Sequence, residues 1–108
     1  MTRNVKLGLV QMKDAGSKSA MIENASKWIR ESASQGAQII CLQELFNGPY
    51  PCQSEDHRMF DLAETIPGES TEAMAKLAKE LEVVIVAPIF EKRGPGLYHN
   101  TVVVLDAD

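Results

Sequence analysis

A short unbroken apolar run, Ile39–Leu42, is the feature that most constrains how this chain can fold. Consecutive apolar residues without polar alternation are typical of a strand that a sheet buries on both faces. The run leads to Glu44 and then to a loop of turn-forming residues that begins at Asn47. In an open α/β sheet, ligands bind at the carboxyl ends of the strands. The run therefore predicts a central strand with a carboxylate at the edge of the sheet where a site would lie.

The residues before this run predict a strand and a helix. Val5–Gln11 has mostly apolar residues on both faces and is interpreted as the first strand. A helix is predicted from about Ser19 to Gln35, and Gly36 can end it because glycine adopts a positive φ without strain. Strand, helix and strand then form a βαβ unit with parallel strands. The predicted buried stripe of this helix, with Trp28 as its anchor on the sheet, is Met21, Ile22, Ala25, Trp28, Ile29 and Ala33.

The second half of the chain predicts one more helix and two more strands. Ser70 is a good N-cap for a helix that runs to about Leu81. Val83–Phe90, rich in β-branched residues, is the clearest strand of the sequence. A turn over Glu91–Gly96 lets Leu97–Leu105 return beside it as the next strand. The fold class is therefore α/β, with about four strands and two main helices on one face of the sheet.

Glu44 is the first candidate for catalysis. We expect Leu42, Leu45 and Phe46 to screen its carboxylate partly from water, which suits a general base. A single acid after a strand is also often a solvated residue or a cap, so the spacing by itself leaves both interpretations open. Asn100 could hydrogen-bond a turn backbone or reach this site, and we favour the structural role.

The composition excludes several classes of protein. A length of 108 residues, 44% apolar and 24% charged, fits one compact domain over residues 1–108. A net charge of −4 argues against a nucleic-acid partner, which would require a basic surface. No apolar run is long enough to cross a bilayer, so no membrane partner is expected. Two cysteines, Cys41 and Cys52, are too few for a disulfide framework, and we expect a cytoplasmic protein with Cys41 in the core.

Short segments along the whole chain carry a family resemblance. They are Leu7–Met12, Cys41–Phe46, Tyr50–Gln53, Leu77–Leu81, Phe90–Lys92, Tyr98–Thr101 and Leu105–Asp108. In this order they resemble the carbon–nitrogen hydrolase (nitrilase) superfamily, and within it the N-carbamoylputrescine amidases. Each segment is a weak signal alone, but the segments follow one another in register over the whole chain.

The resemblance implies a fold and a mechanism. The fold is an αββα sandwich, to which this chain would contribute the N-terminal part of the domain. The mechanism uses a Glu-Lys-Cys triad, in which a cysteine thiolate attacks an amide or carbamoyl carbonyl and the glutamate acts as base. Only the glutamate maps onto this chain, as Glu44. Tyr50 and Cys52 become candidates for lining the substrate pocket, and for Tyr50 a role in covering the end of the sheet is an equal alternative.

The lysine and the cysteine of the triad are expected from segments that would follow Asp108. Neither Lys79 nor Lys92 lies in a matching context, and neither Cys41 nor Cys52 matches the nucleophile. The resemblance therefore implies a cofactor-free and metal-free amidohydrolase that acts on a small-molecule amide or N-carbamoyl amine, with N-carbamoylputrescine favoured, in a homo-oligomer. The alternative is a non-catalytic α/β module, or a degenerate fragment that needs a partner chain. Because both helices cover one face of the sheet, we also expect the other face to be exposed and apolar.

Overall fold

The computed structural model describes residues 3–48 and 57–108, with side chains in the second range from Phe60 onward. These residues form a four-stranded sheet, two α-helices and one short 3-10 helix. In chain order the elements are β1 (Leu7–Val10), α1 (Lys18–Ser34), β2 (Ile39–Leu42), the 3-10 helix (His57–Leu62), α2 (Glu69–Leu81), β3 (Val84–Gly94) and β4 (Leu97–Leu105).

The strands lie side by side in chain order, β1-β2-β3-β4. The first three are parallel, and β4 runs antiparallel to β3. Helix α1 connects β1 to β2, and α2 precedes β3, so that each parallel pair is joined by a helical crossover. This topology confirms the predicted α/β class with about four strands and two main helices.

Both helices pack on one face of the sheet and form a single core with it. The strand residues of the core alternate along each strand, as the two-residue period of a strand requires. Burying these apolar side chains against the helices removes them from water and is the main favourable contribution to folding. The central members are Ile40, Leu42, Ile85 and Ala87 of the sheet with Ala25, Ile29, Met74, Leu77 and Ala78 of the helices.

Helix α1 begins where its cap requires and ends at the predicted glycine. The Ser17 side chain accepts a hydrogen bond from the Ala20 backbone N–H at 3.2 Å, which satisfies one of the free donors of the first turn. Gly36 follows the helix at φ +95°, a conformation that glycine adopts without strain. The predicted bounds are thus correct to within one residue at each end.

The predicted role of Trp28 as the anchor of α1 is wrong. Its side chain is 47% exposed, whereas Met21, Ala25 and Ile29 are fully buried on the core face. Trp28 lies beside this narrow stripe, above the outer edge of β1, the last strand of the described sheet, so no strand lies there to cover its ring. The Lys27 ammonium instead lies 5.4 Å from the ring centroid.

The N-cap of helix α2 is Gly68. The sequence predicts Ser70 at this position, and that prediction is wrong. The Gly68 backbone N–H donates to the Thr71 hydroxyl at 2.7 Å, which closes the first turn. Glycine is required at this position, because a Cβ there would come within 2.3 Å of the Thr65 carbonyl oxygen. Ser70 is the second residue of α2; it is fully buried, and its hydroxyl donates to Glu64.

The helices are also linked at the surface by one ion pair. An Arg30 guanidinium nitrogen lies 2.8 Å from a carboxylate oxygen of Glu80. The hydrogen bond and the positive charge of Arg30 lower the pKa of Glu80 below its ordinary value. Both side chains are about half exposed, so water screens the pair and the apolar core provides most of the attachment between the helices.

The hairpin between β3 and β4 is longer than the sequence predicted. The expected turn over Glu91–Gly96 is reduced to Pro95 and Gly96 because β3 continues to Gly94, whereas β4 has the predicted bounds Leu97–Leu105. Gly96 has φ +69°, which suits the tight reversal of the chain.

The face of the sheet opposite the helices is open and apolar, as expected. The strand registers align its side chains in rows across the sheet, and several of them are largely exposed. Two interpretations are therefore corrected: β2 is buried on one face only, and Cys41 points to the open face and is half-buried instead of lying in the core. The open face consists of Leu7, Leu9, Ile39, Cys41, Val84, Val86, Val102 and Val104.

We predict that this open face makes the 108-residue chain bind hydrophobic dyes and self-associate. The double variant Leu9→Thr/Val104→Thr should reduce dye fluorescence and the sedimentation coefficient, because threonine keeps the β propensity and removes two of the most exposed apolar side chains. Leu97→Thr is the matched control, since Leu97 is 49% exposed but lies outside the open face. A monodisperse wild-type monomer without dye binding would contradict this prediction.

Candidate active site

Glu44 lies just beyond the end of β2, in a turn that is fixed by its neighbours. Leu45 has φ +52°, an uncommon conformation for a non-glycine residue, and its side chain is buried together with that of Phe46. The Phe46 backbone N–H donates to the Pro88 carbonyl of β3 at 3.3 Å. Such a conformation persists only where the surrounding structure determines it, and here it directs the Glu44 side chain outward.

The Glu44 carboxylate is exposed, so the expected screening from water by Leu42, Leu45 and Phe46 is wrong for these residues. All three are buried, but they enter the core below the sheet and do not cover the carboxylate. The side chain that does reach the carboxylate comes from another strand.

Asn100 of β4 holds this carboxylate. Its side-chain Nδ2 donates a hydrogen bond to Glu44 Oε1 at 2.5 Å, across 56 positions of sequence. The favoured interpretation of Asn100, a hydrogen bond to a turn backbone, is therefore wrong, and the alternative in which it reaches the site is correct. The register explains the contact, since Asn100 pairs with Phe90 at the end of β3 that adjoins the end of β2.

The backbone just before Glu44 is tied to the first strand. The Gln43 side-chain oxygen accepts a short hydrogen bond from the Met12 backbone N–H. Met12 lies two residues beyond the end of β1 and Gln43 one residue beyond the end of β2, so this bond extends the connection between the two strands beyond their ladder. It fixes the chain direction at the point where Glu44 leaves the sheet.

The backbone after Glu44 is tied to a buried polar network around Glu64. Asn47 Nδ2 donates to Glu64 Oε2 at 3.0 Å and to the Ser70 hydroxyl at 3.2 Å. Ser70 donates to the same carboxylate twice, from its backbone N–H to Oε1 at 2.7 Å and from its hydroxyl to Oε2 at 2.9 Å. The Lys18 ammonium lies 3.2 Å from Oε2 and balances the charge. We refer to Lys18, Asn47, Glu64 and Ser70 as the Glu64 network.

The Glu64 network is also held by the backbone of β3. The Glu64 N–H donates to the Phe90 carbonyl at 3.0 Å, and its own carbonyl accepts from the Lys92 N–H at 2.8 Å. Burying a charge is costly unless its oxygens are hydrogen-bonded and a counter-ion is near, and both conditions are met here. The loop that carries Glu44 is thus fixed to the starts of α1 and α2 and to β3.

Three aromatic rings lie next to Asn100. Phe90 is the cross-strand partner of Asn100, and Tyr98 is two residues away on the same face of β4. The Phe90 and Tyr98 ring centroids are 5.7 Å apart, and Phe60 packs on both at 5.9 and 4.7 Å. A cluster of three aromatic side chains therefore adjoins Asn100 on this face of the hairpin.

A model of the carbon–nitrogen hydrolase family matches residues 6–108. The chain belongs to the carbon–nitrogen hydrolase family. This finding confirms the resemblance on which the sequence interpretation rests.

Similar proteins include amidases of more than one specificity. The chain is 35% identical over 103 residues to the omega-amidase NIT2 of Homo sapiens, and 38% identical over 105 residues to the N-carbamoylputrescine amidase of Oryza sativa subsp. japonica. These alignments cover 95% and 96% of this chain, but 36% and 35% of those relatives. The chain thus spans about one third of the length of the curated relatives it matches.

Solved structures of the family share this fold. The carbon–nitrogen hydrolase of Helicobacter pylori G27 superposes with a TM-score of 0.84 at 34% identity, over 96% of this chain and 36% of that one. Nit3 of Saccharomyces cerevisiae superposes with a TM-score of 0.78 at 22% identity, over 96% of this chain and 40% of that one.

The other candidate residues of this carbon–nitrogen hydrolase are distributed as follows. Tyr50 and Cys52 lie outside the described residues, so their predicted place in the substrate pocket stays a prediction. Cys41 is on the open face of the sheet, on β2. Residues 3–48 and 57–108 contain no group of three His, Cys, Asp or Glu side chains that could hold a metal ion. Within the same ranges no helix is long and apolar enough to span a membrane.

Sequence reasoning missed Glu64 and Asn47 as parts of this region. Each is a common polar residue near turn-forming residues. Asn47 lies 17 and 23 positions from Glu64 and Ser70, so no local pattern connects it to them, although Glu64 and Ser70 are only 6 positions apart. A weak signal was available, because Glu64 comes shortly before the start of α2, where a carboxylate is favoured by the free N–H groups and the helix dipole.

We predict that loss of the Glu64 network destabilises the chain. Glu64→Ala leaves the Lys18 charge and several donors without their acceptor and should lower the free energy of unfolding by about 3–5 kcal/mol. Ser70→Ala is milder and should cost about 1–3 kcal/mol. Equilibrium urea denaturation followed by circular dichroism measures both.

The matched control is Glu72→Gln, which neutralises an exposed carboxylate in the first turn of α2. It should change the free energy of unfolding by no more than about 1 kcal/mol. Equal effects of Glu64→Ala and Glu72→Gln would show that the Glu64 network does not stabilise the fold.

Proposed function

We propose that the protein is an amidohydrolase that cleaves a C–N bond of a small amide or N-carbamoyl amine, with Glu44 as its general base. The observation that carries this proposal is the carboxylate of Glu44 at the carboxyl end of a parallel strand, held by Asn100. Ligands of open α/β sheets bind at this edge. Membership of the carbon–nitrogen hydrolase family supports the same reaction class.

In the proposed reaction, a cysteine thiolate attacks the carbonyl carbon, and the C–N bond breaks with release of ammonia or an amine. Water then attacks the resulting acyl-enzyme and releases the acid. In the first half Glu44 takes the proton of the thiol and passes it to the leaving nitrogen. In the second half it takes a proton from the water and returns it to the departing sulfur. A lysine stabilises the negative charge that develops on the carbonyl oxygen. We expect this lysine and this cysteine from segments beyond Asp108.

The two oxygens of Glu44 have different parts in this proposal. Oε1 accepts the hydrogen bond of Asn100, so we assign Oε2 to the proton that is transferred. A general base must lie about 2.6–3.2 Å from the atom whose proton it takes. The exposure of the carboxylate leaves room for a substrate and for the missing members of the triad.

For the substrate we propose N-carbamoylputrescine, which would place the enzyme in polyamine biosynthesis. The segments around Glu44 and the 38% identity to the rice enzyme of that name support it. A second candidate is an omega-amide, supported by 35% identity to the human omega-amidase over nearly the same residues. Another N-carbamoyl amidase specificity is a third. We also propose a homo-oligomeric, cytoplasmic enzyme whose domain begins with residues 1–108.

The alternative is a non-catalytic α/β module, or a degenerate chain that needs a partner to supply the lysine and the cysteine. The two functions differ in one observation: an amidase requires both residues in the natural gene product, whereas a module does not. Reading the coding sequence beyond Asp108 distinguishes them.

We predict that the natural gene product releases ammonia from N-carbamoylputrescine or from an omega-amide, when the two are assayed side by side. Glu44→Gln should lower kcat by about 10²- to 10⁴-fold, because the amide cannot accept the proton. Glu72→Gln is the matched control and should keep wild-type activity. Full activity of Glu44→Gln would exclude Glu44 as the base.

We further predict that the isolated 108-residue chain has no detectable amidase activity, because it carries only one member of the triad. A coupled ammonia assay with both substrates tests this. Activity of the isolated chain that Glu44→Gln abolishes would show that the chain is complete for catalysis.

A further inference from the structure

The hydrogen bond between Asn100 and Glu44 joins a side chain of strand β4 to a side chain in the turn after β2. Asn100 lies within β4, and its register with β3 is fixed by the neighbouring pairs Ile89 with Thr101 and Glu91 with His99. On the other face of the strand, the Thr101 hydroxyl donates to Glu91 at 2.7 Å. The amide is thus presented by a hydrogen-bonded strand, which holds a side chain more accurately than a loop does.

Glu44, in contrast, lies in a turn, and both its side chain and that of Asn100 are exposed to water. An unrestrained side chain of this length occupies many rotamers, and fixing it costs about 1–2 kcal/mol of conformational entropy. A base that is displaced by about 1 Å can lose about 10²-fold in rate. A hydrogen bond to one carboxylate oxygen restricts the rotation of the side chain and leaves the other oxygen for the proton.

An amide is well suited to this task. Asn100 Nδ2 is a neutral donor, so it orients the carboxylate without placing a positive charge on it. Phe90 and Tyr98 lie on the same face of the hairpin as Asn100. The contact therefore has the geometry of a support for Glu44.

We propose that Asn100 is a positioning residue, which holds the Glu44 carboxylate in one rotamer and directs Oε2 toward the reacting thiol or water. The inference rests on the proposed amidohydrolase function. In this proposal Asn100 of β4 contributes to catalysis through Glu44 and does not contact the reacting atoms.

The kinetic test compares Asn100→Ala and the isosteric Asn100→Asp with wild type in the natural gene product. Both variants should lower kcat by about 10- to 100-fold, and KM should change by less than about threefold, because the lost contact is not with the substrate. Asn100→Asp should be at least as impaired as Asn100→Ala, since a second carboxylate repels Glu44. Glu72→Gln, which changes an exposed side chain of α2 that takes no part in holding Asn100 or Glu44, is the control and should keep kcat.

A double-mutant cycle distinguishes positioning from a merely structural role. In the Glu44→Gln background, Asn100→Ala should lower the residual kcat by less than about twofold, because Asn100 acts through Glu44. Additive losses would overturn the proposal. So would a raised KM with unchanged kcat, which would indicate that Asn100 binds the substrate.

A measurement that does not depend on activity separates this inference from the proposed function. With asparagine labelled by nitrogen-15, the Asn100 side-chain N–H should resonate downfield in the wild type and return to an ordinary position in Glu44→Ala. An inactive wild type that shows this shift would exclude the proposed function and leave the contact confirmed. Absence of the shift in the wild type would overturn the inference, whatever the activity.

Discussion

The buried carboxylate of Glu64 is the interaction on which the arrangement of this chain depends. It accepts hydrogen bonds from Asn47 and Ser70 and an ion pair from Lys18, so it connects the Glu44 loop with the starts of both helices. A buried charge with fewer partners would destabilise the fold, whereas here each described buried polar side-chain atom has a partner. The Glu64 network therefore couples the packing of the two helices on the sheet to the position of the Glu44 loop.

Glu44 is fixed from three directions, although it is itself exposed. Gln43 ties the preceding backbone to the end of β1, and Asn47 ties the following backbone to Glu64. Asn100 then holds the carboxylate from β4. The hydrogen bonds of Gln43 and Asn47 fix the backbone on either side of Glu44, and the hydrogen bond of Asn100 fixes its carboxylate. A carboxylate in a solvent-exposed turn is thus restrained at its backbone and at one of its oxygens.

The sequence predicts the elements of the fold well and their long-range partners poorly. Helical and strand periods are local, so α1, β2 and the place of Glu44 follow from short segments. Trp28 was misassigned because the helical period does not reveal that the sheet ends beneath it. Ser70 is misassigned because serine is common both at helix N-caps and as a buried hydrogen-bond donor, and the sequence does not distinguish the two roles. The partner of Asn100 is 56 positions away and has no signature in a single sequence.

The turn at Pro95 and Gly96 limits how much the length of the β3–β4 connection can vary. The turn has two residues, and the register of the hairpin is irregular between Lys92 and Gly94. A deletion in the turn that this irregularity does not absorb would shift β4 against β3 by one position. Since strand side chains alternate, such a slip would turn Asn100 toward the helices and bring His99 or Thr101 to the open side. Two residues that do not touch Glu44 thus determine which side chain faces it. The length of this turn should therefore vary less among active relatives than its exposed position would suggest.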